Sequence, residues 1–518
     1  MSDVNLSFYE YFISRVLSSE RCLSFYGRTF TGKEVAARVN GVADAFSRLG
    51  VKKGDVVAIN LPNSPECVFS IYALNKIGAT VFVTHPLLPT HALEKELKEA
   101  GASFLICRVG FGKELPVKRI TCNLVGYFSP VKRGFLKFFA RNFEKPTYPY
   151  SAIGEARVEN AESRGEDVAL YLPSGGTTGE PKIIRITNAA FNKNAEATVS
   201  LAKIPLASEG VLLVLPFYHG FGLSSSLHGA VSGGAEGVIL PYFDVKKSAK
   251  YVKKGKVSII LGVPNMFRKL LENKDFLKGI GSMVLAFSGG DSLPEKLKAR
   301  YDERAMKAGS ESRLYQGYGL AETVSVCAAC SKGEDKLGSI GKPVEAKIRI
   351  VREDGSEAKS GEIGEIAVST DCMMEGYLGS SDTRSEFLLT GDLGYRDEEG
   401  FFFFTGRKKR VIVIGGMNVY PVEIERAAMD VGFLTDAAAV GYTENGKTKI
   451  ALFCTDDSEY SEEIKAKKIR EVLSQNVIRY AFPSEIVFLK EMPKTEIGKK
   501  DYALLDKIAA KRAPIGRN

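Results

Sequence analysis

Apolar runs of membrane-spanning length, about 20 residues, are missing from this 518-residue chain, which excludes a transmembrane reading. Its start, MSDVNLSFYEYF, lacks the charged-then-apolar layout of a secretory leader, so a cytoplasmic protein is expected. Low-complexity tracts and internal repeats are absent too, which removes the fibrous, disordered and solenoid classes. Eight cysteines sit at unrelated spacings, and a secreted disulfide framework is not expected in a chain this large. CAAC (327–330) has no second ligand pair to complete a zinc site and reads as buried, apolar cysteine beside a pocket. The histidines, His85, His91, His219 and His228, show no metal spacing, so a metal would have to be Mg²⁺ held by carboxylates. The net charge of +9 is modest and favours anionic ligands, but no cluster of Arg, Lys and aromatics resembles a nucleic-acid module.

What is present is a globular composition, 44% hydrophobic and 26% charged, in a chain too long for one ordinary core. KEVAARVNGVADAFSRLG (33–50) puts Val35, Val39, Val42, Phe46 and Leu49 at helical spacing, and Gly50 stops the helix. DVVAINL follows as a buried strand, a second helix begins near PNSPECVFSIYALNKIG, and TVFVTH is another strand. Helices alternating with short apolar strands imply a parallel α/β sheet covered on both faces, and the pattern recurs from VLLVLP (211–216) to SMVLAFSGG (282–290). Beyond about residue 332, KIRIV, EIAVST and FFFFTGR form strands joined by Gly-rich turns, a small β-rich lobe. From about Lys409 a further set of strands (VIVIGG, KIALFCT, EIVFL) and helices (PVEIERAAM, EEIKAKKIREVLSQ) suffices for a separate α+β domain. The expected architecture is α/β: an N-terminal body of two α/β subdomains plus the β-rich lobe (1–408), then a small, mobile α+β domain (409–518), with the charged turn GRKKR suited to a hinge.

SGGTTGEPK (174–182) looks at first like a phosphate-binding loop. A Walker-type loop needs Lys directly after its last Gly, where a helix begins and its amides face the phosphates. Here Glu180 and Pro181 intervene; Pro181 has no amide and biases its predecessor out of helical geometry, so the loop is expected to run into an extended IIRITN. A run of Gly and hydroxyl side chains with Lys182 as its cation can still sleeve a polyphosphate. The same residues also make an ordinary solvated turn.

The loop does not stand alone. SGGDSLP (288–294), YQGYGLAET (315–323), GSIGKPV (338–344), GEIGEI (361–366), LTGDLGY (389–395), TGRKKRVIVIGGMNVYPVEIE (405–425) and PKTEIGKK (493–500) follow in order. With FTGKEVAARVNGVADAFSRLGVKKGDVV near the start, they resemble the ANL superfamily of adenylate-forming enzymes, which includes acyl-CoA synthetases, peptide-synthetase adenylation domains and beetle luciferase. That resemblance covers nearly the whole chain. It implies that a carboxylate attacks the α-phosphate of ATP to give an acyl-adenylate and pyrophosphate, after which a thiol displaces AMP; an anion approaching a polyanion needs cations and dipoles in place.

By the same resemblance, Ser174, Gly175, Gly176, Thr177, Thr178, Gly179 and Lys182 hold the β- and γ-phosphates. Gly289, Gly290 and Asp291 line the adenine, as do Gln316, Gly317 and Gly319, and Tyr318 stacks on it. Glu322 ligates Mg²⁺ and Thr323 contacts phosphate. Asp392 takes the ribose hydroxyls with support from Arg407. Lys499 is the catalytic lysine, selected over its neighbour Lys500 by the Gly-Lys pattern, and Lys409 is the hinge. Gly415 and Gly416 approach the pantetheine arm of the thiol.

LPFYHGFGL (215–223) carries Tyr218 and His219 where amino-acid-activating relatives place an Asp, so an α-amino acid is not the expected substrate. His219 is assigned to the acyl pocket, with a core histidine as the bland alternative. VSVCAAC (324–330) suits an apolar acyl chain or aryl ring and equally a buried strand. PVKRGFLKFFARNFEK (130–145) is a basic, aromatic amphipathic stretch that either packs on the body or lies at a membrane surface. The expected activity is an ATP-dependent, AMP-forming acid:thiol ligase for a medium- to long-chain fatty acid or an aryl acid, using ATP, Mg²⁺ and coenzyme A. A carrier protein's phosphopantetheine is the rival acceptor. A non-catalytic nucleotide-binding protein and a luciferase-like oxygenase share the scaffold.

Overall fold

The computed structural model describes residues 3–122, 147, 159–174, 182–380, 385–415, 417–444, 447–494 and 500–512. The first expected helix spans Gly32–Arg48. Thr31 caps it, accepting from the Glu34 amide (3.1 Å) while the Glu34 carboxylate accepts from the Thr31 amide (2.8 Å), a reciprocal box that satisfies two otherwise unpaired donors. Val35, Val39, Val42 and Phe46 form its buried face. Leu49 is the residue that caps the helix C-terminus and is exposed, and Gly50 then turns the chain at φ +97°. Ser64 caps the next helix, Pro65–Lys76, whose proline sits at the position that tolerates it.

Among the described residues two large sheets form the body. One runs in the order Lys342–Pro343, Val326–Ala329, Leu314–Gly319, Leu285–Ser288, Ile259–Gly262, Gly210–Leu213, Glu236–Ile239, Leu23–Phe25 and Arg28–Phe30; its middle strands are parallel. The other runs Gly376–Tyr377, Ile183–Thr187, Val168–Pro173, Thr80–Val83, Val56–Asn60, Phe104–Arg108 and Lys118–Cys122. A shared core including Phe69, Tyr72, Val81, Phe191, Leu213 and Ile259 packs between them, as expected for two covered α/β subdomains. The β-rich lobe is an antiparallel sheet of Ala346–Val351, Gly364–Thr370, Leu388–Arg396 and Phe402–Arg407.

Residues beyond 411 build their own buried clusters around Ile424, Ile450, Leu452, Ile469, Leu473 and Leu505. Their sheet pairs Leu434–Glu444 with Lys447–Asp456 and then Glu485–Phe488, flanked by helices Pro421–Met429, Glu462–Asn476 and Tyr502–Arg512. The expected strand VIVIGG appears as Ile412–Ile414, which pairs with Met417–Val419 in a separate two-stranded ribbon. No helix among the described residues is long and apolar enough to cross a membrane, and the amphipathic stretch 130–145 lies outside the described residues.

Candidate active site

The loop 174–182 joins two antiparallel strands, Val168–Pro173 and Ile183–Thr187, and no helix follows it. That is the geometry Pro181 implies. Its base is closed by the Ser174 amide donating to the Lys182 carbonyl (2.7 Å) and the Lys182 amide to the Ser174 hydroxyl (2.9 Å). Gly175, Gly176, Thr177, Thr178 and Gly179 lie outside the described residues. The Lys182 ammonium stands 4.7 Å from the ring centroid of Tyr377, a cation–π arrangement.

Tyr377 belongs to the two-residue strand Gly376–Tyr377, which pairs with Arg185 and Ile184 at the edge of the second sheet. Its hydroxyl donates to Glu322 Oε1 at 2.9 Å. Burial, and then the Glu322 charge, push this phenol well above its ordinary range. Glu322 is the middle residue of a single 3₁₀ turn, Ala321–Thr323, just after the strand Leu314–Gly319 of the first sheet. Tyr377 therefore bridges the two halves of the body. A half-buried carboxylate is the kind of oxygen donor Mg²⁺ requires.

Thr323 is fully buried. Its hydroxyl lies 3.1 Å from the Leu320 carbonyl and 2.9 Å from the Ser325 carbonyl, and the Leu320 amide donates to it (3.1 Å); contact with a phosphate would require giving up these bonds. The cause is the next residue. Val324 is held at φ 62°, ψ −49°, with the Ser325 amide donating to the Thr323 carbonyl at 2.7 Å, a γ-turn that is strained for a β-branched residue.

The expected adenine wall lies on adjacent strand ends. Leu285–Ser288 runs parallel to Leu314–Gly319, with Ser288 opposite Gln316, so Gly289, Gly290 and Asp291 neighbour Gln316 and Gly317. A Cβ at Gly317 would meet nothing nearer than the Ala328 carbonyl at 4.0 Å, and one at Gly290 nothing nearer than Val263 at 3.7 Å. These glycines leave open the space a planar base needs. At Gly319 the constraint is the protein itself: a Cβ would sit 1.8 Å from the Ser325 carbonyl. Asp291 is exposed and accepts from the Ser292 amide (2.8 Å), while desolvation by the surrounding protein raises the pKa of its carboxyl.

Asp392 and Arg407 face each other across antiparallel strands and form an ion pair at 3.1 Å. Tyr318 donates its hydroxyl to the second oxygen of Asp392 at 2.8 Å. Burial and the Asp392 charge hold the Tyr318 phenol well above its usual value. The residues expected at adenine and ribose thus form one connected unit. His219 is half-buried rather than a core histidine; its ring lies 4.8 Å from Tyr218, which in turn lies 4.6 Å from His85. VSVCAAC contains the strand Val326–Ala329, whose Cys327 and neighbouring Cys330 are buried.

Lys409 is exposed between two anchored neighbours. Lys408 pairs with Glu365 of the β-rich lobe (2.8 Å), and Arg410 pairs with Glu425 of the C-terminal unit (3.0 Å). Gly415 turns the adjacent ribbon at φ +57°; Gly416 and Lys499 lie outside the described residues. Lys500 is committed elsewhere: its ammonium donates to the Ala437 carbonyl (2.6 Å) and pairs with Asp436 (2.8 Å). Burial pulls its pKa down, but Glu425, Tyr502, Asp436 and Asp291 more than offset this and hold it well above the ordinary lysine value.

Sequence reading passed over Tyr377 and the Arg410–Glu425 pair. Tyr377 sits in MEGYLG with no spacing that marks it, and its partner Glu322 is 55 residues away.

A family model described as AMP-binding enzyme matches residues 15–378, and one described as AMP-binding enzyme C-terminal domain matches residues 423–499. The long-chain-fatty-acid–CoA ligases of Bacillus subtilis (strain 168) and Haemophilus influenzae are 29% and 30% identical to the chain, over 92% and 91% of it and 90% and 89% of their own lengths. Indoleacetate–CoA ligase of Aromatoleum aromaticum is 26% identical over 92% of both chains. Among solved structures, the anthranilate CoA ligase AuaEII in complex with anthranoyl-AMP superposes with a TM-score of 0.85 at 23% identity, covering 99% of this chain and 100% of that one.

Proposed function

Because the chain belongs to the AMP-binding enzyme family, we propose that it is an ATP-dependent, AMP-forming acid–CoA ligase that activates a fatty or aryl carboxylic acid. The observation that carries this reading is the joining of a cation and a carboxylate from the two sheets: Lys182 and Glu322 meet on Tyr377, and Glu322 follows the strand whose Tyr318 belongs to the Tyr318–Asp392–Arg407 unit.

In this reading the loop 174–182 holds the β- and γ-phosphates and Lys182 neutralises charge that leaves with pyrophosphate. Mg²⁺, when bound at Glu322, neutralises the polyphosphate so that the carboxylate can approach. The glycine-lined strand ends receive adenine, and Asp392 takes the ribose hydroxyls. Lys499 stabilises charge at the α-phosphate during adenylate formation. Its neighbour Lys500 is tied to Asp436 and the Ala437 carbonyl, which supports giving this role to Lys499 and not to Lys500. The region 409–518 acts as a mobile unit rotating about Lys409. Anchors on either side of that residue, Lys408 to the lobe and Arg410 to the C-terminal unit, support a pivot there. Thioester formation follows when the thiol of CoA attacks the acyl carbon and AMP leaves. The acid class follows the relatives, which act on long-chain fatty acids and indoleacetate; the absence of an Asp before His219 argues against an amino acid. A cytoplasmic location suits these substrates.

The test is pyrophosphate release from MgATP across acids from acetate to palmitate, with benzoate and cinnamate, each with and without CoA. CoA-stimulated turnover with one acid class is expected. Release that needs an acid and ignores CoA makes a carrier protein the acceptor, and silence across the panel defeats the ligase reading. Lys499→Ala should abolish adenylate formation and spare thioester formation from supplied acyl-adenylate; equal loss of both half-reactions removes Lys499 from its role.

A further inference from the structure

We propose that Tyr377 is a positioning residue of the metal–triphosphate site: its hydroxyl sets the Glu322 carboxylate and its ring face holds the Lys182 ammonium, so one side chain registers the metal ligand against the phosphate cation. The proposal rests on the reading of Glu322 as metal ligand given above.

Three independent features support it. The hydroxyl donates to Glu322 Oε1 at 2.9 Å. A hydrogen bond to a carboxylate is worth more than a neutral one and fixes its rotation, while leaving the second oxygen for a hard cation. The ring centroid lies 4.7 Å from Lys182 Nζ, within the range of cation–π attraction. Most decisive, the backbone around Tyr377 is stitched to both partners. The Met374 amide donates to the Glu322 carbonyl (2.8 Å), the Glu375 amide to the Arg185 carbonyl (2.9 Å) and the Leu378 amide to the Ile183 carbonyl (2.8 Å). Gly376, at φ +153°, holds a backbone conformation that residues with a Cβ rarely adopt. Three backbone hydrogen bonds flanking one side chain thereby lock the two sheets in register at the point where Lys182 and Glu322 must act together. A tyrosine placed only to fill space would need neither the hydroxyl bond nor the ring over a lysine.

The test separates the two groups of the side chain. Tyr377→Phe keeps the ring and deletes the hydroxyl; Tyr377→Leu deletes both. Binding of Mn²⁺ to the enzyme–ATP complex is followed by electron paramagnetic resonance, and metal-free ATP binding by calorimetry, with Glu322→Gln as reference. Tyr377→Phe is expected to weaken Mn²⁺ binding about tenfold, the size of one lost hydrogen bond to a charged group, with metal-free ATP affinity and thermal midpoint unchanged. Tyr377→Leu should in addition weaken metal-free ATP binding about threefold. If Glu322→Gln weakens Mn²⁺ binding while Tyr377→Phe leaves it as in the wild type, the positioning role is overturned and the metal reading survives. Should Glu322→Gln itself leave Mn²⁺ binding unaltered, the metal reading fails and the proposal with it. Equal weakening of metal-free and metal-bound ATP by Tyr377→Phe would mark general damage and also overturn it.

Discussion

His228 is wholly buried, stacked on Phe191 at 4.4 Å. Asn192 gives its amide nitrogen to the Val4 and Leu6 carbonyls (3.0 Å each), so its oxygen faces His228 Nε2 (3.0 Å). Nε2 therefore carries the proton, and Nδ1 accepts from the Tyr72 hydroxyl (3.1 Å). Burial, and then the charge of Arg15, push the imidazole pKa down to about 3. An unfolded histidine titrates near 6.5, so below that value the unfolded state binds a proton that the folded state refuses. Stability from the neutral ring is fully present above pH 6.5 and is lost as pH falls towards 3, amounting to about 2 kcal/mol by pH 5. Urea unfolding from pH 7 to 5 should show the wild type losing that much more than His228→Gln; parallel curves would mean the ring is not held neutral. The motif LPFYHGFGL singled out His219 in the sequence, but nothing there marked His228 as a sealed core residue; packing makes one wholly buried and leaves the other half-buried.

At the scale of elements, the turn Lys408–Arg410 and the helix Pro421–Met429 are joined through a buried charge. Glu425 accepts from Arg410 (3.0 Å), from the Ala439 amide (2.9 Å) and from Tyr502 (3.2 Å), and the Arg410 guanidinium lies 3.2 Å from the Tyr502 ring centroid. Removing one member of such a pair strands the other, at a cost of about 3–5 kcal/mol. Arg410→Ala should therefore lower the unfolding transition of the C-terminal unit by that order, measured by calorimetry on the full chain; a loss below about 1 kcal/mol would place the pair among weak surface bridges. This tie was not legible, because Arg410 reads as one more cation in GRKKR. The strand Leu434–Glu444 was missed for a related reason: Ala437, Ala438 and Ala439 have low strand propensity. They form strand because their small side chains are buried under Ile424 and Leu505, a decision made by neighbours remote in sequence. By contrast, the helix Gly32–Arg48 and the strand Val56–Asn60 were legible since cap, periodicity and terminating glycine all lie within one short window.

Across the whole molecule, charged pairs link the C-terminal unit to the body, alongside packing of the helix Pro421–Met429 near Gly406. Arg268 pairs with Asp457 at 3.3 Å, and Lys296 reaches the Asp430 carbonyl and carboxylate. Exposed pairs of this kind are worth about 0–1 kcal/mol each and weaken with salt, so these pairs hold the orientation lightly, which suits the rotation between half-reactions proposed above. Reversing both cations, Arg268→Glu with Lys296→Glu, should slow adenylate formation about three- to tenfold while leaving thioester formation from supplied adenylate unchanged, measured by rapid quench. Equal effects on both steps would discount the interface.

What the sequence determined by itself was whatever depends on local chemistry in order along the chain: the alternation of helices and strands, the β-rich lobe, the ordered motifs and the reaction class they imply. Pro181 alone predicted that the loop 174–182 would lead into a strand. Tertiary structure decided what depends on distance across the fold: that Tyr377 meets both Glu322 and Lys182, that Thr323 is consumed by the γ-turn at Val324, and that Lys500 is tied down beside Lys499. Side-chain partnerships between sheets arise from packing two surfaces at once, and no window of sequence contains both surfaces.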